Sequence, residues 1–290
     1  MRVEEMQSMF DQELLCFYPD KNERDMLCLM ALEPALGPLN RMSLHLRKKE
    51  ILQASEVQTL REVLLELKQY KPIQYVLGKA NFYGIELGVN ASTLIPRQET
   101  EELVRWIIDD LSAVQAIMNL SILDIGTGSG CIAISLKKFV PSAQLMAIDV
   151  SSAALEVARD NALKNQLDID FQEVDVIKGI KNHFEGIFDI LVSNPPYVRM
   201  SEKLDMSKNV LDFEPHLALF VEDHDPLLFY RAIAEMGFSH LRAGGFIYFE
   251  INESLAPELM VMMGTLGYQE VILRKDIHGK NRMLKAQKGN

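Results

Sequence analysis

From about residue 120 onward, short apolar runs alternate with segments whose apolar positions recur every three or four residues. The runs at 122–125, 145–148, 171–176, 188–193 and 246–251 are short and largely apolar, and they predict strands buried on both faces. Helical spacing falls between most of them, at 131–139, 153–164 and 227–241, and again at 257–266. Such alternation predicts an α/β domain built on a Rossmann-like, doubly wound parallel sheet. Two last strand-like pieces, 271–274 and 282–286, flank Gly279 and predict an antiparallel edge.

The first 72 residues have another texture, with Leu, Met, Glu, Lys and Gln at helical spacing and Gly37 as the sole glycine. Leu60, Val63, Leu64 and Leu67 form a stripe on one helix face, and Arg61, Glu62, Glu66 and Lys68 lie outside it. A small all-α domain over 1–72 is expected, punctuated by Pro34, Pro38 and Pro72. Residues 73–90 (IQYVLGKANFYGIELGVN) are rich in aromatic, β-branched and glycine residues, which predicts a β-hairpin linker. A larger domain, 91–290, follows and opens on IPRQETEE, whose carboxylates suit the first turn of a helix.

Composition narrows the classes. The chain has 290 residues, 48% apolar and 24% charged, enough for one large domain and one small one. Its net charge is −11, with 10 basic against 12 acidic residues up to position 75 and 20 against 29 beyond it. A basic footprint for a phosphate backbone is therefore missing, and no direct nucleic-acid partner is expected. Cys16, Cys28 and Cys131 are scattered outside any metal-binding spacing, which fits a reducing, cytoplasmic compartment and no bound metal. The opening MRVEEMQSMF is no signal peptide, and no run approaches a membrane span, so a soluble chain, expected to be a monomer, is the reading.

The chemistry starts at LDIGTGSG, 123–130, between the first strand of the alternation and its first helix. Gly126, Gly128 and Gly130, with Thr127 and Ser129, let the backbone turn tightly beside free helix N–H groups. The spacing departs from the dinucleotide GxGxxG, since the third glycine comes one residue early and Cys131 holds its place. Asp124, just before the loop, would repel a pyrophosphate but suits an ammonium group such as the amino-acid half of S-adenosylmethionine. Asp149, ending the next strand, can accept from both ribose hydroxyls. Asp175 can accept from an adenine amino group, and Val176 offers a backbone N–H and an apolar wall. Three successive strand ends thus match three parts of one cofactor.

The fourth strand ends in VSNPPYV, where prolines cannot continue a ladder. At such strand ends open α/β sheets bind ligands. The side-chain oxygen of Asn194 and the carbonyl of Pro195 can hold both N–H bonds of a planar amino group, a carboxamide or the exocyclic amine of a base. Pro195 and Pro196 stiffen that backbone, and Tyr197 can pack on the flat face of the acceptor and close the site to water. The histidines, at 45, 183, 216, 224, 240 and 278, are scattered and suggest no nucleophile–base pair.

At this point the chain resembles the glutamine N5-methyltransferases that modify the GGQ motif of peptide-chain release factors. The resemblance rests on PIQYVLG (72–78), FYG (82–84), LIPRQETEELV (94–104), ILDIGTGSG (122–130), FDILVSNPPYV (188–198), EPHLAL (214–219) and KDIHGKNRML (275–284). NPPY is shared with adenine N6 methyltransferases of DNA or RNA, which are the alternative. The resemblance implies a class I S-adenosylmethionine-dependent methyltransferase domain behind a helical domain that helps hold the release factor. It further implies that Asn194 and Pro195 clasp the glutamine amide beside Tyr197. The 126–130 loop, Asp149 and Val176 would then line the cofactor site, with Asn194 touching both ligands and S-adenosylhomocysteine as the product. Three departures are Val176 where many relatives carry an aromatic, Gln98 where a second proline is frequent, and EDHDPL (222–227) where a GxDGL pattern is common.

Overall fold

The structure is a computed structural model that describes residues 1–113, 119–178 and 186–289; His183 lies outside them. The chain divides into two compact units, Met1–Gly78 with Ser207–Phe213, and Lys79–Met206 with Glu214–Asn290.

The first unit is helical: α1 (Val3–Leu14), α2 (Lys21–Leu36), α3 (Arg41–Leu46), α4 (Ala54–Leu67) and α5 (Ile73–Leu77). The stripe of Leu60, Val63, Leu64 and Leu67 is buried and packs with Val3, Met6, Phe10, Leu14 and Leu32. Arg24 is buried too, and its guanidinium donates to Asp11 and to the carbonyls of Tyr18 and Pro19, each at 2.8 Å. Two details differ from expectation. Pro34 sits inside the last turns of α2, where only the bond to the carbonyl four residues back is lost, and the chain turns at Gly37 with φ 75°. Residues 73–77 form a further helical turn instead of opening the hairpin, so the boundary falls at Gly78, a left-handed cap. The unit also receives α9 (Lys208–Phe213) from the middle of the chain, where the Lys208 ammonium lies 5.5 Å from the centre of the Tyr70 ring.

The second unit begins with the hairpin β1 (Lys79–Phe82) and β2 (Ile85–Gly88), then α6 (Gln98–Ala113). It continues with β3 (Ser121–Ile125), α7 (Cys131–Phe139), β4 (Gln144–Asp149), α8 (Ser152–Lys164), β5 (Asp170–Glu173), β6 (Phe188–Ser193) and β7 (Val198–Arg199). After α9 come β8 (Phe220–Val221), α10 (Leu228–His240), β9 (Leu241–Glu250), α11 (Ala256–Thr265), β10 (Tyr268–Lys275) and β11 (Asn281–Lys288). Among the described residues the main sheet has seven strands in the order β10-β11-β9-β6-β3-β4-β5. Strands β5, β4, β3, β6 and β9 run parallel, and β11 and β10 form the antiparallel edge, as the sequence pattern predicts.

Alternate residues of the central strands feed two cores. Ile122, Ile190, Val192 and Tyr248 face the layer of α6, α7 and the hairpin, while Leu123, Ile125, Leu191, Ile247 and Phe249 face that of α10 and α11. Because both faces are covered, the ends of the parallel strands are where polar groups can meet a ligand. The order also reverses beside β3, whose successor β4 lies on one side and β6 on the other, which opens a crevice at their carboxyl ends.

Tight packing inside α10 can be tested with two glycines. A Cβ at Gly237 would lie 2.2 Å from the Tyr268 hydroxyl, which donates to the Ala234 carbonyl, whereas one at Gly264 on α11 meets nothing within 4 Å. In urea denaturation Gly237→Ala is expected to lose about 1–3 kcal/mol. Gly264→Ala is expected to gain up to about 1 kcal/mol through helix propensity.

Candidate active site

The loop after β3 is folded by its own backbone. Gly126 and Thr127 donate to the Ile148 carbonyl at 2.8 and 3.0 Å, and Gly126, Gly128 and Gly130 all take positive φ (71°, 55° and 82°). A Cβ at Gly126 or Gly128 would meet nothing within 4 Å, and both residues line a cavity with Thr127 and Ser129. Their bare backbone lets a ligand approach closely. Gly130 is different: its Cβ would lie 3.0 Å from Ile134 and 3.2 Å from Ala158. It does not line the cavity but sets how closely α7 packs on α8.

Asp124 is also a correction. Expected to meet an ammonium group directly, it is fully buried and absent from the cavity wall. Its Oδ2 accepts from the Thr127 hydroxyl at 2.6 Å and the Ala133 N–H at 3.2 Å, while Oδ1 has no partner among the described residues. Burial pushes its carboxyl up to about 7, against the opposing hydrogen bonds from Thr127 and Ala133. The loop that Asp124 braces is the reason it faces inward.

Asp149 and Asp175 do reach the cavity. Asp149 accepts from Gly128 N–H and Ser151 N–H, both at 2.9 Å, and ties the glycine loop to the start of α8. Burial raises its carboxyl, and these backbone bonds oppose the rise. Each oxygen keeps a lone pair for a further donor such as a hydroxyl. The strand expected over 171–176 ends earlier, at Glu173, so Asp175 and Val176 sit in the turn beyond it. There Asp175 accepts from Ile177 and Lys178 N–H at 3.0 and 3.3 Å and pairs with the Lys178 ammonium at 3.0 Å. Val176 supplies an apolar wall, together with Leu217, Phe229 and Ile233.

On the other side of β3, Ser193 donates to the Ile125 carbonyl at 2.7 Å and holds the end of β6 against it. Asn194, Pro195 and Pro196 follow and line the same cavity. Tyr197 does not. Its ring packs on the main core and its hydroxyl donates to Glu250 Oε1 at 3.0 Å. A buried carboxylate draws the phenol away from the cavity.

Thr100, Glu250 and Arg97 carry roles that no local pattern announced. Asn194 Nδ2 donates to the Thr100 hydroxyl oxygen at 3.1 Å, and Thr100 donates to Glu250 Oε2 at 2.6 Å. Arg97, on the cavity wall, pairs with the buried Glu214 at 2.6 Å, and Glu214 also accepts from Ile95 N–H. Thus the IPR and EPH motifs are one ion pair apart. Gln98 begins α6, the position where a proline is equally at home. In the EDHDPL stretch Asp223 accepts from Ser201, and Asp225 forms a two-bond pair with Arg231.

The sheet order, the glycine loop and the crevice on both sides of β3 define a class I methyltransferase. The family model for the methyltransferase small domain matches residues 107–213. A release factor glutamine methyltransferase of Flavobacterium psychrophilum is 46% identical over 286 residues, 99% of each chain, and that of Bacteroides thetaiotaomicron is 41% identical over 96% of this chain and 97% of its own. The chain belongs to the release factor glutamine methyltransferase family. Among solved structures, the catalytic domain of hMettl16 superposes with a TM-score of 0.54 at 17% identity, covering 82% of each chain, which shows the shared fold.

The buried acid gives a pH test. The folded pKa of Asp124, about 7, exceeds the unfolded value of 3.8, so the native state holds an extra proton between them. Its contribution to stability is full below about pH 4 and lost as pH rises through 7. Asp124→Asn cannot ionise, and in urea denaturation from pH 4.5 to 8 it is expected to decline less with rising pH than the parent. Parallel pH profiles would contradict the burial of a titrating carboxyl.

Proposed function

We propose that the protein transfers a methyl group from S-adenosylmethionine to the side-chain N5 of the glutamine in the GGQ motif of peptide-chain release factors. The observation that carries this reading is Asn194 and Pro195 at the mouth of a cavity whose other wall is a bare glycine loop and two acids. Relatives named release factor glutamine methyltransferase, matched along nearly the whole chain, support the same substrate.

The residues fit the cofactor. Backbone N–H groups and open glycine positions accommodate an extended ligand, Asp149 suits ribose hydroxyls, and Asp175 with Val176 suits an adenine edge and face. The orphaned Oδ1 of Asp124 leaves negative potential under the loop, where the amino-acid end of the ligand would lie. When bound, S-adenosylmethionine supplies an electrophilic methyl on a sulfonium and departs as S-adenosylhomocysteine.

An amide nitrogen is a poor nucleophile because its lone pair is delocalised. What the protein supplies is alignment. Asn194 Oδ1 and the Pro195 carbonyl accept the two N–H bonds of the glutamine amide and aim its nitrogen across the crevice. Holding both protons on oxygen acceptors also favours the positive charge that develops as the N–C bond forms and the methyl–sulfur bond breaks, and one of these protons is then released to solvent to leave the neutral N-methyl amide. Apolar walls at Leu217 and Phe229 restrict water. The helical unit serves to recognise the protein substrate on this reading, and translation factors as substrates imply a cytoplasmic enzyme. Among the described residues no helix is long and apolar enough to cross a membrane.

Mass spectrometry of the GGQ peptide after incubation of an intact release factor with enzyme and cofactor should show a gain of one methyl group. Methylation of adenine in DNA or RNA, with none on the peptide, would establish the alternative. Asn194→Ala is expected to lower turnover by about 100-fold or more, since misplacement of the amide removes alignment. Cofactor Kd, measured by calorimetry, should stay measurable.

A further inference from the structure

Asn194 can help a substrate amide only if its oxygen, and not its NH₂, faces the cavity. Nothing in the side chain's shape decides this, because the two ends are nearly isosteric. A neighbour must decide it.

Counting protons along the chain Asn194, Thr100, Glu250, Tyr197 does so. Glu250 is buried at the end of β9, and its two oxygens each accept one hydrogen bond, Oε1 from Tyr197 at 3.0 Å and Oε2 from Thr100 at 2.6 Å. A carboxylate can only accept, so the single hydroxyl proton of Thr100 is committed to it. Thr100 then has only lone pairs left for Asn194, and the bond at 3.1 Å must run from Asn194 Nδ2 to Thr100 Oγ1. That turns Asn194 Oδ1 outward. If Glu250 were protonated on Oε2, the Thr100 proton would be released and could bond Asn194 Oδ1, which allows the inverted amide.

The charge of Arg282 acts on Glu250 from the neighbouring strand, while its ion pair is with Asp276. Arg282, on β11 beside Glu250, donates from Nε to Asp276 Oδ2 at 3.2 Å, and Asp276 also accepts from the backbone N–H of His278 and Lys280. The tight turn between β10 and β11 thereby holds Asp276 against the Arg282 guanidinium. Burial pushes the Glu250 carboxyl up, while bonds from Thr100 and Tyr197 and the charge of Arg282 hold it down. The other ionisable groups acting on or packed against it are Glu99 on α6, Tyr230 on α10, whose hydroxyl donates to the Glu250 carbonyl at 3.2 Å, and Cys131 at the start of α7.

We propose that Thr100 and Glu250 are positioning residues that fix the Asn194 amide with its oxygen toward the cavity, so that the site selects an acceptor offering two N–H donors. The inference rests on the reading of Asn194 as a substrate acceptor.

The test uses the full-length enzyme, S-adenosylmethionine and an intact release factor, and measures kcat and KM from pH 5.5 to 8.5, with cofactor Kd and Tm for each variant. The parent kcat should fall toward low pH as Glu250 takes up a proton. Glu250→Gln should lower kcat about 10-fold or more, with KM and cofactor Kd within about 3-fold of the parent, and should lose that acid limb. Thr100→Val should match Glu250→Gln, Thr100→Ser should recover most of kcat, and the double variant Thr100→Val with Glu250→Gln should be no worse than either alone.

A parent-like kcat and acid limb in Glu250→Gln, or multiplicative losses in the double variant, would overturn the proposal. If Glu250→Gln fails to fold, the Thr100 pair decides: Val impaired with Ser active supports it, and equal activities overturn it. A parent enzyme that adds no methyl group to the release factor would instead show that the functional reading itself is wrong.

Discussion

Two prolines in succession cannot stay in a parallel ladder, and the site depends on where they stop β6. Ser193 makes the last strand contact, with its hydroxyl on the Ile125 carbonyl, and Asn194 is the first residue free to turn toward a ligand. Because β6 and β4 lie on opposite sides of β3, this stop falls across the crevice from the glycine loop. The residues proposed to hold donor and acceptor are thus brought to one cavity by strand order. Nothing else in the chain needs to move the two groups together.

Polar residues in and around the cavity wall hold that arrangement. Arg97 and Glu214 join the segment before α6 to the segment after α9, and Thr100 and Glu250 join α6 to the end of β9. Asn161 on α8 adds a third tie, accepting from Gly88 N–H at 2.6 Å and donating to the carbonyls of Gly88 and Ser129 at 2.9 Å. Each joins elements distant in sequence through a buried group, where an unmade bond is expensive. Buried carboxylates such as Glu250 are costly unless satisfied, and here both oxygens are.

Much of this was legible in the sequence because it is local. Periodicity reports burial, so the order of β3 to β6, the helices between them and the antiparallel edge follow from runs such as ILDI and DILV. The turn chemistry of GTGSG and the strand stop at NPPY are likewise written in adjacent residues. What pattern reading misplaced depends on side-chain direction. Asp124 and Tyr197 stand next to cavity-lining residues, yet a hydroxyl and one amide turn the first inward and Glu250 captures the second. Gly130 looks like its neighbours Gly126 and Gly128 but is shaped by Ile134 and Ala158. What was missed altogether, Thr100 with Glu250 and Arg97 with Glu214, pairs residues 150 and 117 positions apart. The quoted motifs IPRQET and EPH held three of these four residues and Glu250 lies in none of them, so only the fold says which residue answers which.

One geometric relation is central to the proposed reaction: two oxygens on the strand stop hold the acceptor nitrogen. A crystal structure of the enzyme with S-adenosylhomocysteine and a GGQ-containing peptide tests it directly. The glutamine amide nitrogen is expected about 3 Å from both Asn194 Oδ1 and the Pro195 carbonyl oxygen, with Asn194 Nδ2 still on Thr100. A glutamine seated beyond hydrogen-bond reach of either oxygen, or facing the Asn194 amino group, would contradict it.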